Sequence, residues 1–289
     1  MTPRDWVNTT YGRIASWRAR RRSYSARTLL VPNHWNGSVQ HFYHFLLGYL
    51  MPVSLWVLRH PKTPVTLRDC GPMQPWLDLA SERADIELIS PGHALHVLAG
   101  DHMANKVIEG MDNPSTFRRS RLLQGTSALR QLLGQPAGTQ RMYNEVIVID
   151  RATSEDFYQG GGSETQMSGS RRRSIPNLSS ISDFVAGAQV TDLARVAPTE
   201  QIRLVERAGL LVGQHGAGLT HMLWMPPGST VLEIAPPLPP EVENLFMSLA
   251  LALGHRYVRV PQDTVHSSID IEQLAEAIQK FRPPRVSAQ

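Results

Sequence analysis

A glycine-rich turn between two apolar segments carries the strongest chemical signal in the sequence. Residues 213–220 spell GQHGAGLT; they follow an apolar strand predicted over Gly209–Gly213 and lead into a predicted helix that Pro226–Gly228 closes. The free backbone N–H groups and the dipole at a helix start attract an anion such as phosphate. Gly216, Ala217 and Gly218 would let that ligand approach the backbone closely. A tight turn whose glycines serve only packing is the alternative.

The turn departs from two well-known phosphate-binding motifs. His221 stands where the dinucleotide fingerprint GxGxxG has its third glycine, which disfavours a Rossmann-type oxidoreductase. The sequence also lacks the Gly-Lys-Ser/Thr of a P-loop and the Gly-x-Ser-x-Gly elbow of an α/β-hydrolase. The turn therefore predicts an anion site outside these three classes.

Charged residues follow two other predicted strands. Glu233 lies at the carboxyl end of the strand Thr230–Ile234, where a carboxylate commonly accepts hydrogen bonds from ribose hydroxyls. Arg151 follows the apolar segment EVIVID, and Arg173 ends a run of three arginines. Guanidinium groups match phosphate oxygens bidentately, so both arginines are candidate phosphate ligands. For all three residues, a solvated or paired charge is the alternative.

Two histidines, His41 and His44, lie three residues apart in a helix predicted over Val39–Leu58, and hence on one face of it. Histidine is the natural general base near neutral pH, so both are candidate catalytic residues. A core histidine bonded to a backbone carbonyl is the alternative. We expect no metal, because the chain has no HExxH motif, no Asp-x-Asp pair and one cysteine, Cys70.

Positive charge is concentrated at the N-terminus. The 289 residues carry a formal net charge of +4, and residues 1–27 hold seven arginines against one acid, Asp5. The rest of the chain is close to neutral, so we expect no nucleic-acid partner, which would require a basic surface across the fold. This N-terminal arm is either a solvated tail or a segment that contacts anionic lipid at a membrane surface.

No apolar stretch of the kind found in secretory signals follows the arm. The most apolar run, Phe45–Leu58, is too short to span a bilayer and is predicted to be a buried helix. We therefore expect a cytoplasmic protein, which would be peripheral at the inner membrane face if the arm binds lipid.

Strands alternate with helices twice along the chain, which predicts an α/β fold with two parallel-sheet domains facing each other across a cleft. The predicted divisions are an arm (1–27), an N-terminal domain (28–140) and a C-terminal domain (141–289). In the first domain, strands are predicted at Thr28–Val31, Val65–Leu67, Ile86–Ile89 and Ala94–Leu98, and a helix over 114–134. In the second, a loop is predicted over Gln159–Ser174, a helix capped by Asn177, and strands at Glu145–Asp150, Gln189–Asp192, Gly209–Gly213, Thr230–Ile234 and Arg256–Val260.

The segment Pro198–Ile234 resembles glycosyltransferase family 61, through its EQ pair, its HGAGLT turn, its PPG and its final E-I. Arg151, Arg173 and Asn177 resemble the R…R-x-x-x-N stretch of that family. Residues 43–52 resemble its Tyr-His-Trp-Leu-Leu…Pro segment. The chain is thus identified, over roughly residues 33–260, as a bacterial-type member of a family that includes enzymes of polysaccharide biosynthesis.

This resemblance implies a GT-B architecture of two Rossmann-like domains, with a nucleoside-diphosphate sugar, UDP-linked by expectation, bound mainly by the C-terminal one. It implies inverting, metal-independent transfer to a hydroxyl of a glycan or lipid-linked acceptor. His44 would deprotonate that hydroxyl, with His41 as the second candidate, and Glu233 would bind the ribose. The residues implied to bind the donor are His215, Gly216, Ala217, Gly218, Leu219, Arg151, Arg173, Asn177 and Glu233.

One departure from the family pattern bears on the base. The family often has an acid four residues after the histidine, where Gly48 stands here, so a carboxylate that assists His44 would have to come from elsewhere. Three other functions stay open: a nucleotide-sugar-binding module without catalysis, a sugar-nucleotide epimerase of the same architecture, and an NAD(P)-dependent oxidoreductase. An epimerase needs no acceptor, and a binding module would show neither transfer nor donor hydrolysis.

Overall fold

The computed structural model of the chain describes residues 27–89, 104–135, 144–151 and 169–283. The N-terminal arm apart from Arg27, the predicted strand Ala94–Leu98 and most of the predicted loop Gln159–Ser174 lie outside this part. Every strand pairing within the described residues is parallel. The predicted α/β class with two parallel sheets is therefore confirmed.

The N-terminal sheet has four strands in the spatial order β3-β2-β1-β4. These strands are β1 (Thr28–Asn33), β2 (Val65–Arg68), β3 (Ile86–Ile89) and β4 (Ala104–Glu109). The first three match predicted strands. The sequence did not indicate β4, because ANKVIE is polar at half of its positions, as suits an exposed edge strand.

The C-terminal sheet has five strands in the order β6-β5-β7-β8-β9. They are β5 (Glu145–Ile149), β6 (Ala188–Thr191), β7 (Ala208–Gln214), β8 (Thr230–Ala235) and β9 (Arg256–Pro261). All five match predicted strands within two residues at either end. Every residue of β7 and β8 is buried, because both faces of this parallel sheet are covered.

The segment predicted as one helix over Val39–Leu58 is divided in the structure. It consists of α1 (Phe42–Phe45), a π-helical segment (Leu46–Leu50) and α2 (Met51–Arg59). As expected, the middle of this segment is buried: every residue from 45 to 51 is almost completely shielded from solvent. π-Helical segments inside helices are rare and are often found beside functional sites.

The remaining helices cover the two sheets. They are α3 (Gln74–Ser81), α4 (Arg119–Leu132), α5 (Gly169–Arg172), α6 (Ile181–Phe184), α7 (Pro198–Glu206), α8 (Pro240–Glu243), α9 (Leu245–Leu253) and α10 (Ile271–Phe281). Of these, α4 and α6 correspond to helices predicted above, whereas α5 forms a helical turn inside the segment predicted as the loop Gln159–Ser174, and α3 and α8 were not predicted. Among the described residues, none of the helices has the length and apolar character that crossing a membrane requires.

A shared apolar core joins the two halves. Leu30 of β1 and Leu211 of β7 belong to one cluster of buried side chains. At this boundary the buried Arg130 pairs with Glu206 and donates a hydrogen bond to the backbone oxygen of Trp224 at 3.2 Å. The halves are thus held by packing and by a buried ion pair, while the division at residue 140 stays a prediction.

Each sheet has one point at which the strand order reverses. In the N-terminal sheet this point lies between β1 and β4, and in the C-terminal sheet between β5 and β7. Open parallel sheets bind ligands in the crevice at the carboxyl ends of such strand pairs. The segments following these four strands are therefore the places to look for a site.

Candidate functional site

The C-terminal crevice is dominated by an arginine that lies against the glycine-rich turn. Arg151 follows β5 and Gly216 follows β7, and a Cβ at Gly216 would overlap the Arg151 guanidinium. Gly216 has a φ of 153°, which favours glycine. Glycine is thus required here for two reasons, and the guanidinium is held over the backbone of the turn.

A second arginine approaches the same turn from another element. Arg173, just after α5, donates a hydrogen bond from Nη1 to the backbone oxygen of His215 at 3.2 Å. Burial, together with the charges of neighbouring arginines, lowers the pKa of both Arg151 and Arg173 to about 10. Both remain charged at neutral pH, so the crevice concentrates positive charge that an anionic ligand would stabilise.

The helix predicted after the turn is a 3₁₀ helix, Ala217–Trp224. The tighter turn uses one of the expected anion donors internally, because the Leu219 N–H donates to the Gly216 oxygen at 2.9 Å. The Leu219 side chain is fully buried. Leu219 is therefore placed as a packing residue of the turn, and its amide is engaged within the turn.

Glu233 lies behind the crevice and not on its surface. Its side chain is fully buried, one carboxylate oxygen contacts Nδ1 of His215, and the other accepts a hydrogen bond from the Tyr257 hydroxyl. A ribose hydroxyl would have to displace one of these partners. The position does not support the expected ribose contact and instead makes Glu233 the residue that orients His215.

His215 itself is buried between Glu233 and an aromatic ring. Its ring centroid lies 5.0 Å from that of Phe246, in an edge-to-face arrangement. Burial lowers the pKa of His215, although the bond to Glu233 opposes this effect. His215 is thus a neutral side chain at neutral pH, fixed in position beside the turn.

Asn177 does not face the crevice. Its side-chain amide donates to the backbone oxygen of Ile269 at 2.8 Å and accepts from the Ile269 N–H at 3.1 Å. The predicted side-chain cap is absent, and Asn177 precedes a 3₁₀ turn, Leu178–Ser180, that leads into α6. The expectation of a helix cap is corrected by this pairing, and the donor-ligand role stays a prediction: Asn177 fastens the chain before α10 to the segment after α5.

The N-terminal crevice holds a histidine bonded to a carboxylate. His44 Nδ1 lies 2.8 Å from Oδ2 of Asp112, which follows β4, and Asp112 is 1% exposed. The other oxygen of Asp112 accepts from the Trp35 N–H at 2.9 Å, and its backbone oxygen accepts from the Tyr43 hydroxyl. A carboxylate held in this way fixes the orientation of the imidazole.

Asp112 was missed in the sequence, since it follows β4, a strand that was not predicted. The nearest signal is the Met-Asp-Asn-Pro run, which looks like an ordinary turn. The contact joins residues 68 apart in sequence. His34, His44 and Asp112 offer ligand atoms within 4.8 Å of one another, so the described residues include one group able to hold a cation.

His41 directly precedes α1 and lies near arginines of the C-terminal half of the chain. Burial and the nearby charges of Arg172, His44 and Arg151 lower the pKa of His41 to about 4. The effect of Arg151 shows that the histidine-bearing segment and the glycine-rich turn lie within electrostatic range of each other. His41 is therefore neutral at neutral pH.

Direct contacts bring the two crevices together. Phe42 of α1 stacks on His221 of the 3₁₀ helix, with ring centroids 4.4 Å apart. Phe246 of α9 contacts Tyr43 on one side, at 5.8 Å, and His215 on the other. The structure thus unites His41, His44, Arg151, Arg173 and the turn in one region, while the side chains of Asn177, Leu219 and Glu233 make their contacts within the protein.

Comparisons with known proteins agree with this arrangement. The sequence profile of the family described as Glycosyltransferase 61 matches residues 42–232, more than half of the chain and the part that contains both crevices. The chain is also 33% identical over 75 residues to the EGF domain-specific O-linked N-acetylglucosamine transferase of Gallus gallus. That match covers 24% of this chain and 14% of the chicken protein.

Proposed function

Because the chain belongs to the glycosyltransferase 61 family, we propose that it transfers a sugar from a nucleoside-diphosphate sugar to a hydroxyl of a glycan or lipid-linked acceptor. The observation that carries this proposal is the pairing of two crevices: arginines and a glycine-rich turn on one side, and a carboxylate-bound histidine on the other. The first suits a leaving diphosphate, and the second suits a general base.

The donor diphosphate would lie at the C-terminal crevice. Arg151 and Arg173 would bind its oxygens, and it would approach the backbone at Gly216–Gly218 closely. As the bond between the anomeric carbon and the diphosphate breaks, negative charge grows on the leaving oxygen. The two guanidinium groups are fixed beforehand where they would stabilise that charge, so no metal ion is needed for this step.

The acceptor hydroxyl would attack from the N-terminal side. His44 Nε2 would take its proton as the new carbon–oxygen bond forms. Attack from the side opposite the diphosphate inverts the anomeric configuration. His41, which is neutral and lies within electrostatic range of Arg151, would contact the donor near the diphosphate. A UDP-linked donor, the two-domain GT-B arrangement and a role in polysaccharide biosynthesis complete this proposal.

Thermal unfolding in the presence of nucleotides tests donor binding. The Tm of the purified chain is measured with UDP, GDP, CMP, NAD or NADP, each with and without Mn²⁺. A ligand at 100 times its dissociation constant stabilises the folded state by about 2.7 kcal/mol, which raises Tm by several degrees at about 2–4 °C per kcal/mol. We expect a shift with one nucleoside diphosphate that Mn²⁺ does not change.

Other outcomes contradict parts of the proposal. A shift only with NAD or NADP would favour an oxidoreductase, and a shift that requires Mn²⁺ would contradict metal-independent binding. Transfer is then tested with His44→Ala, which should lower turnover by about 10²–10⁴-fold while the nucleotide shift is kept. Retained turnover in His44→Ala would remove His44 from the mechanism.

A further inference from the structure

We propose that Asp112 is the residue that positions the base His44. Asp112, which follows β4, would take the place of the acid that the family often has at position 48, where this chain has Gly48. This inference rests on the proposed function, because it gives His44 the role of general base. Its structural basis is the short contact between Asp112 Oδ2 and His44 Nδ1, at 2.8 Å. Asp112 thereby adds a positioning residue to the N-terminal half of the site.

The surroundings of Asp112 are built to hold a carboxylate in one orientation. Its side chain is 1% exposed, and the Trp35 N–H occupies Oδ1 at 2.9 Å, which leaves Oδ2 for His44. The main-chain oxygen of Asp112 is tied to the Tyr43 hydroxyl at 2.6 Å, next to His44 in sequence. Both ends of the residue are therefore fastened to the segment that carries the histidine.

Two glycines make room for this carboxylate. A Cβ at Gly48, in the π-helical segment, would lie 3.0 Å from Cγ and Oδ2 of Asp112 and 2.7 Å from Cβ of His34. A Cβ at Gly110 would lie 2.7 Å from Oδ1 of Asp112. A side chain at position 48 would thus crowd the carboxylate of Asp112. Glycine at position 48 leaves the space that this carboxylate occupies.

The geometry also determines which ring nitrogen is free to act. An ionised carboxylate only accepts hydrogen bonds, so Nδ1 of His44 carries a proton, and in the neutral imidazole Nε2 therefore keeps its lone pair. The Nε2 side of the ring lies against the exposed Gly37, where a Cβ would overlap Nε2. Gly37 has a φ of 88°, a conformation that favours glycine. Nε2 is therefore the ring nitrogen that Asp112 does not contact, and it lies beside an exposed glycine.

The test begins with the tautomer of His44 in the unmodified protein. The full-length chain is labelled with [15N]histidine, and the His44 signals are assigned by their loss in His44→Ala. We expect Nδ1 to be protonated and Nε2 to be unprotonated at neutral pH. A signal from the opposite tautomer would overturn the proposal, and this result does not depend on any measured activity.

Asp112→Asn then removes the charge at constant shape. Its amide oxygen would keep the Trp35 N–H, and its NH₂ would donate to Nδ1 of His44, which forces the proton onto Nε2. We expect the tautomer to switch, kcat for sugar transfer to fall by about 10²–10⁴-fold, and KM for the donor to stay within threefold. A kcat within threefold of the unmodified protein would overturn the proposal.

Glu109→Gln is the matched control. Glu109 ends β4, three residues before Asp112, and its exposed carboxylate contacts the side chain of Asn33. This variant should retain both the tautomer and kcat. If the unmodified protein transfers no sugar from any donor, the proposed function fails, whereas the tautomer measurement still decides the relation between Asp112 and His44.

Discussion

The described residues include two histidine–carboxylate pairs, one at each crevice, and they differ in the partner of the second carboxylate oxygen. His44 and Asp112 form the N-terminal pair, in which the His44 side chain keeps 15% exposure. His215 and Glu233 form the C-terminal pair, in which the exposed fractions are 4% and 0%. Similar chemical groups thus form one pair that is partly exposed and one pair that is closed to solvent.

The second oxygen of each carboxylate explains the difference. Asp112 gives its second oxygen to a backbone N–H, so its negative charge is directed at His44. Glu233 gives its second oxygen to Tyr257, whose hydroxyl in turn accepts from Nε of Arg259 at 3.1 Å. The C-terminal pair is therefore part of a network around the turn that includes Tyr257 and Arg259, whereas the N-terminal carboxylate has His44 as its side-chain partner at Oδ2, as the proposed base requires.

Removal of the buried carboxylate should produce the largest change in stability. Glu233→Ala leaves two buried donors, on His215 and Tyr257, without their shared acceptor, which at about 1–3 kcal/mol each should cost about 2–6 kcal/mol of the free energy of unfolding. Urea denaturation at pH 7 measures this change. The control is Glu243→Ala, because the exposed pair of Glu243 with Arg259 should contribute less than about 1 kcal/mol. Equal losses in the two variants would contradict the buried-network role.

Removal of Arg151, the arginine at the glycine-rich turn, should weaken the binding of the nucleoside diphosphate. Arg151→Ala deletes a charge-assisted contact to the diphosphate, and we expect the Kd of the stabilising nucleoside diphosphate to rise by about 10- to 100-fold. Calorimetric titration measures this change. The exposed Arg171→Ala should leave the Kd within about twofold. If Arg151→Ala bound the nucleotide normally, the diphosphate would have to lie elsewhere than over Gly216.

The smallest expected effect concerns pH. His255 is buried with Nε2 3.0 Å from the Met222 oxygen, and burial lowers its pKa to about 4. Between pH 6.5 and pH 4 the unfolded chain binds a proton at His255 that the folded chain does not, so stability falls as the pH falls. From pH 7 to pH 5 this histidine should cost about 1–2 kcal/mol.

His255→Gln should remove that part of the pH dependence. Urea denaturation at pH 7 and pH 5 gives the comparison, with His60→Gln as an exposed control that keeps the original slope. An unchanged slope in His255→Gln would show that His255 is protonated in the folded protein. Such a result would weaken the contrast between a closed C-terminal half and an open N-terminal pair.

Much of the framework could be predicted from local sequence. Apolar runs such as EVIVID and GLLVG indicate buried parallel strands because both faces of such strands avoid water, and they became β5 and β7. The glycine-rich turn and Arg151 were placed correctly at the carboxyl ends of neighbouring strands, since each directly follows its strand. The edge strand β4 and the helix α3 lack a strong apolar pattern, and the sequence did not predict them.

By itself, the sequence determined the family, the parallel α/β framework and the positions of Arg151 and Gly216 after the ends of strands. Only the tertiary structure decided which partners these residues have. Asp112 reaches His44 across 68 residues, and Glu233 contacts His215 and Tyr257 in the buried interior. Local patterns report whether a residue is buried and in which element it lies. Contacts between side chains of different strands depend on strand order and register, which the folded sheets alone establish.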